Sequence, residues 1–234
     1  MPNWCYQTLK VRGSNAELNR FLKASEVEKD AEWKALPEWD RPEYDLNKLY
    51  PCPKELEDTT SGFFGDEEKQ KALEEQQAQN VAKYGYKTWY EWCNDNWGTK
   101  WGACRPQLVK GADKSNLEAQ GEVVMYFESA WGPANGLLER ISAQFPTLLF
   151  GIFMTEESDA FSGIMLFHNG QTVAEAEPDL TTPLPEYPED DEDEDGELLD
   201  KYYEAMDKRR DDMNDMLEAE LNLALDSEMS LITL

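Results

Sequence analysis

Apolar and polar positions alternate from Trp4 to Arg12. Cys5, Gln7, Leu9 and Val11 fall on one side and Tyr6, Thr8 and Lys10 on the other, which predicts a strand ended by Gly13. The period then lengthens: Ser14 or Asn15 can cap a helix, Glu17 lies in its first turn, and Leu18, Phe21 and Leu22 recur at helical spacing. Further on, Lys100 to Lys110 reads as extended despite Pro106, and Gly121 to Ser129 carries the run Val123 to Phe127 of sheet-core type. Pro133 to Phe145 reads as a helix through Leu137, Leu138 and Ile141, followed by β-like segments at Thr147 to Thr155 and Phe161 to Phe167. The order strand, helix, insertion, strand, strand, helix, strand, strand contains the βαββαβ split motif. The expected fold is therefore α+β, a ferredoxin-like antiparallel sheet with helices on one face and the final strand as an addition.

The insertion spans about residues 30–98. Its first part holds Pro37, Pro42, Pro51 and Pro53 among Trp33, Trp39, Tyr44, Leu49, Tyr50, Phe63 and Phe64, a composition that predicts irregular but packed chain. Asp66 to Lys83 then reads as a polar helix and Lys87 to Trp97 as a second, hinged at Gly85. The α+β core is expected to occupy residues 1–177. From 178 to 196 the chain is a Pro-rich acidic linker with Pro183, Pro185 and Pro188 ahead of seven consecutive acids. Residues 197–234 form an acidic arm, helical from about Glu197 to Leu225. Leu199, Tyr202, Tyr203, Met206, Met213, Met216, Leu217, Leu221 and Leu225 mark its apolar stripe. Such a stripe requires an apolar partner, either the core or the arm of a second copy in a homo-oligomer.

Charge changes the picture most. The chain has 22 Lys and Arg against 49 Asp and Glu, a net charge of −27. Residues 186–234 alone carry nineteen acids against four bases, more than half of that net charge in about a fifth of the length. A field of this sign repels nucleic acid and anionic membranes and attracts basic surfaces. Met1 to Lys10 lacks the basic start and apolar run of a secretory signal, and no apolar stretch approaches the roughly 18 residues of a membrane span, so a cytoplasmic protein is expected. Cys5, Cys52, Cys93 and Cys104 are far apart, without C-x-x-C spacing, and His168 is the single histidine. Reduced thiols, no metal site and no cofactor are expected.

The passage Trp89 to Trp101 holds four tryptophans, whose faces can stack on bases or grip a peptide. Trp97, Lys100, Trp101 and Arg105 are its candidate binding residues, with Lys110 extending a short basic strip. The competing reading is a helix closed onto the sheet by its tryptophans and stopped at Gly98, and the surrounding acidity favours it. Carboxylates are too numerous for any pair to stand out as acid and base. His168 sits beside Asn169 and Gly170 as a turn residue with no nucleophile placed near it, so no catalytic residue is assigned and an enzyme is the lesser expectation. The acidic run either solubilises the chain or presents carboxylates much as a duplex presents phosphates. In the second case the partner-binding residues are Glu189, Asp190, Asp191, Glu192, Asp193, Glu194 and Asp195, with Asp211, Asp212 and Asp215 on the helix.

Met1-Pro2-Asn3-Trp4-Cys5-Tyr6, Asn96-Trp97-Gly98-Thr99-Lys100-Trp101, Phe127 to Trp131 with Pro133, and Phe145-Pro146 before a strand together resemble the Api-like or YubB-like proteins of phages and conjugative plasmids. The resemblance covers about residues 1–168 and implies a ferredoxin-like region of unknown function, with no catalytic residues to carry over. It says nothing of the arm. Genes of this kind resemble accessory cargo of mobile elements, which often counters host defences acting on DNA. The leading expectation is an interaction protein, an acidic DNA-mimic-like inhibitor of a host DNA-handling or defence complex. Its partner would be a host protein with a basic, DNA-binding surface, with no direct contact to nucleic acid or membrane. The alternatives are a nucleotide- or RNA-processing enzyme or ligand-binding module using the Trp-rich surface, and an assembly protein whose arm pairs between subunits.

Overall fold

The computed structural model describes residues 2–37, 41–63, 65–158, 160–177 and 197–232. The first strand, β1 (Trp4–Ser14), runs through Gly13 rather than stopping there. A side chain at Gly13 would meet Leu148 Cδ2 at 2.4 Å, so glycine serves close packing within the strand. Ser14 Oγ accepts from Glu17 N and opens α1 (Asn15–Ser25), whose Leu18, Phe21 and Leu22 are buried.

The insertion is α2 (Ala31–Ala35), a 3-10 turn at Asn47–Leu49, α3 (Lys54–Glu57), α4 (Glu67–Tyr84) and α5 (Trp89–Trp97). Gly85 ends α4 in the left-handed conformation, its N–H donating to Val81 O at 2.9 Å. Trp39 and Phe64, read as part of the packed insertion, lie outside the described residues. The remaining elements of the core are β2 (Cys104–Lys110), β3 (Gln120–Ala130), α6 (Asn135–Gln144), β4 (Leu149–Glu156), β5 (Ser162–His168) and β6 (Gln171–Ala176). The arm is α7 (Glu197–Ile232), longer than its stripe suggested.

The sheet order is β2-β3-β1-β4-β5-β6, with every neighbouring pair antiparallel. Its first four strands have the ferredoxin-like order, and β5 and β6 extend it as a meander. β6 was not anticipated. Asn169 (φ 48°) and Gly170 (φ 83°) make the tight turn into it, the left-handed pair that a two-residue hairpin requires.

One face of the sheet carries the main core. Leu9, Val11, Phe127, Phe150, Ile152 and Phe167 pack there with Phe21 of α1 and Leu137, Leu138 and Ile141 of α6. α7 lies on the other face, which the expected one-sided helical layer left open. Leu149, Ile164 and Leu166 meet Met213, Leu217, Leu221 and Leu225 there in a separate cluster. Gly151 makes this approach possible, because a Cβ at that position would stand 2.8 Å from Leu221 Cδ1. No helix among the described residues is long and apolar enough to cross a membrane.

Candidate interaction surfaces

Two surfaces gather the residues singled out in the sequence. The first is the outward face of α7. The carboxyl-terminal part of its stripe is consumed by its own sheet: Leu217, Leu221 and Leu225 are fully buried and Met213 nearly so, whereas Leu199, Tyr202 and Met206 are only partly covered and Tyr203 and Met216 are exposed. Burial of each such side chain contributes about 1.5–3 kcal/mol, so the stripe outweighs the polar contacts at its margin. Those contacts fix the register. Lys10, buried on β1, donates to Glu218 Oε1 (2.5 Å) and Asn222 Oδ1 (3.0 Å). Arg12 donates to Glu122 Oε2 (2.7 Å), Asp226 Oδ1 (2.6 Å) and Asn222 Oδ1 (2.9 Å). Lys10 and Arg12 belong to the polar side of the β1 alternation; what the sequence did not disclose is that an acidic helix covers that side.

With the stripe facing inward, Asp211, Asp212 and Asp215 are all exposed. The helix holds eleven acids against four bases along about 54 Å, at 1.5 Å per residue. The run Glu189 to Asp195 and the linker lie outside the described residues.

The second surface is the corner where the amino end of β1 meets the carboxyl end of β3. Trp131 N donates to Asn3 O (2.9 Å), Thr99 Oγ1 donates to Ala130 O (2.5 Å), and the Trp4 and Trp101 rings lie 6.1 Å apart. Three sequence strings distant along the chain thus converge here. Beneath them Gln7 Nε2 donates to Ser129 Oγ (2.5 Å), and Ser129 Oγ donates to Gly132 O (2.5 Å). This buried network holds a turn in which Trp131 adopts φ 72° and stands 58% exposed. A left-handed backbone is uncommon for a bulky residue, so the turn over-determines the ring's outward placement.

The four aromatic-strip candidates separate. Trp97 is 8% exposed and its Nε1 donates to Tyr50 O (2.8 Å), with its ring set edge-on to Trp92 at 5.4 Å; it is a core residue that ties α5, packed on α6 rather than on the sheet, to the insertion. Lys100 stands 4.5 Å from the Trp101 ring centroid and 5.9 Å from those of Trp89 and Tyr90. Trp101 is 37% exposed. Arg105 stacks on Trp4 at 4.9 Å and pairs with Glu128, in a bulge where its own φ is 50°. Lys100, Trp101 and Arg105 therefore share the corner, whereas Trp97 faces inward. Trp131 belongs with them; Gly132-Pro133 just after it was the available signal for an exposed turn.

Among the described residues no group of three or more His, Cys, Asp and Glu is placed to hold a metal ion. Burial pushes the Cys5 thiol up to about 12 and those of Cys52 and Cys104 up to about 11, which keeps these sulfurs protonated and poorly nucleophilic at neutral pH. His168 Nε2 lies 2.8 Å from Pro146 O, tying the β5 end to the loop before β4.

No family model and no curated protein matches the chain. Among solved structures, protein api92 from Yersinia pseudotuberculosis, of the family DUF1281, is similar at 11% identity, with 78% of this chain and 100% of that one covered and a TM-score of 0.37.

Proposed function

We propose that the chain is an accessory interaction protein of the Api-like or YubB-like kind, acting in the cytoplasm of a bacterial host. Its acidic arm occupies the basic, DNA-binding surface of a host protein in a DNA-handling or defence complex. The family part of this reading rests on the sequence strings that meet at the aromatic corner. The functional part rests on one observation: the stripe of α7 from Met213 through Leu217 and Leu221 to Leu225 is buried on its own sheet, so a held helix presents Asp211, Asp212 and Asp215 outward.

Charge density bounds how the arm works. The net of seven negative charges along about 54 Å of α7 is one per roughly 8 Å, against one per roughly 1.7 Å of duplex axis. The helix alone is a sparse substitute for DNA. The seven-acid run just before it supplies the missing density, and the reading therefore requires both.

The test is an affinity capture from bacterial lysate on the immobilised full chain, eluted with a duplex oligonucleotide and identified by mass spectrometry. The expected result is a DNA-binding protein released by the duplex and not captured by a D211N/D212N/D215N variant. Capture of the same set by that variant, or no protein displaced by duplex, would contradict the reading.

A further inference from the structure

Between the sheet and the amino-terminal half of α7 lies a cleft of about 380 Å³. Its floor follows from strand register. Tyr6 faces Thr155 on β4, and Thr8 faces Tyr126 on β3 and Phe153 on β4, so five side chains form one contiguous patch on the arm side of the sheet. Its roof is Arg210 and Asn214 of α7. The stripe from Met213 to Leu225 and the clamp at Lys10 and Arg12 close the sheet further along, so the cleft is where the helix leaves this face uncovered.

The polar groups of this cleft are conspicuously unused. Among the described residues, Tyr6 Oη, Thr8 Oγ1, Thr155 Oγ1 and the Asn214 side-chain amide make no hydrogen bond within the protein and so can meet a ligand in the cleft. Arg210 has one carboxylate nearby, Asp207 at 3.5 Å, beyond the length of a strong charge-assisted hydrogen bond. Tyr126 donates to Glu128 Oε1 (3.2 Å) and offers its ring. Burial, followed by the charges of neighbouring glutamates, raises the pKa of both tyrosines, so they remain protonated at neutral pH. The lining is thus rich in donors, contains one cation, is bordered by the Glu128 carboxylate that faces Tyr6 across β1 and β3, and is walled by three aromatic rings.

We propose that this cleft binds a small molecule with a flat ring and a single anionic head, the head on Arg210 and the ring among Tyr6, Tyr126 and Phe153. The hydroxyls of Thr8 and Thr155 and the Asn214 amide fix its orientation, in the manner of mostly preformed ligand sites with a few convergent polar groups. The head is one carboxylate or one phosphate, at most about two charges at neutral pH, because the surrounding chain is at −27, a field that repels polyanions. Nucleoside monophosphates and aromatic carboxylates share this chemistry. The site is separate from the outward acidic face, so its failure would leave the functional proposal standing.

The test is a titration of the full chain with AMP, UMP and 4-hydroxybenzoate, followed by calorimetry and by NMR shifts of Tyr6, Phe153 and Asn214. Saturable binding is expected for the nucleotides or for the carboxylate, which distinguishes the two sources, and ATP is expected to bind more weakly than AMP. R210Q removes the cation on an exposed helical position and should weaken binding about tenfold or more, the size of one charge-assisted hydrogen bond. T155V keeps shape and removes one hydroxyl, and should weaken it by about threefold to tenfold. The proposal is overturned if neither probe class saturates up to roughly 10 mM, the weak end of specific recognition, or if R210Q and T155V bind as the parent does.

Discussion

The two faces of the sheet are built differently. On the α1 and α6 face, five fully buried phenylalanines interlock with leucines of two helices close in sequence to the strands they cover. On the α7 face the apolar contact is one stripe of one helix, joined to the strands through a 20-residue segment, 177 to 196, and trimmed by ion pairs to Lys10 and Arg12. The first face specifies the fold. The second holds a charged element at a fixed place over a sheet that already has its core, which is how a scaffold presents a surface.

Adjacent residues of β4 test this contrast, because Phe150 points to one face and Gly151 lies against the other. Phe150→Ala should cost about 3–5 kcal/mol and lower the urea midpoint of the whole domain. Leu221→Ala should cost about 2–5 kcal/mol, but locally: hydrogen exchange should speed up throughout α7 while β1 and β3 keep their protection. A uniform loss of protection in that variant would mean that the two faces are one cooperative unit. Gly151→Ala places a methyl against Leu221 and Leu225, whose flexible ends can give way, so a cost of about 1–3 kcal/mol confined to the arm is expected.

Acidification gives a smaller effect at the clamp. Burial raises the Glu122 pKa, but hydrogen bonds from Arg12 and Lys110 and their charges outweigh it, and the carboxyl is held below its ordinary 4.5. A depressed folded pKa means stability that is fully present above the unfolded value and lost as pH falls through the folded one. Urea melts from pH 6 down to pH 3 should show this loss in the parent and lack its Glu122 component in Glu122→Gln.

The α+β order and the split motif were readable because β1, α1, β3 and α6 each show a clean period and end in a turn signal. The side on which the arm lies was less readable, since an apolar stripe states a need for a partner without naming it. A usable signal was present: Leu149 to Met154 and Ile164 to Phe167 are nearly continuous apolar runs, the mark of strands covered on both faces. Asn169-Gly170 likewise signals a hairpin into β6, whose residues Gln171 to Ala176 are largely polar because the strand is an edge. At the aromatic corner the strings were visible, but not which tryptophans turn outward. Trp97 and Trp101 sit four apart, and the left-handed Gly98 between them sends one ring to the core and the other to the surface. The cleft residues Tyr6, Thr8 and Tyr126 alternate as ordinary strand-surface positions, and only the helix above them turns that surface into a site.

The central claim is that the outward carboxylates of a docked helix bind a basic, DNA-binding partner. Its most direct test is the affinity of the captured partner for the full chain and for the D211N/D212N/D215N variant, measured over a range of salt concentrations. Removing three solvated carboxylates should leave the melting temperature within the effect of about ±0.5 kcal/mol typical of surface substitutions. The affinity should fall by tenfold or more, with a shallower dependence on salt, as expected when fewer charges meet the basic surface. Equal affinity and equal salt dependence for the two proteins would contradict the claim and assign the arm to stability and solubility alone.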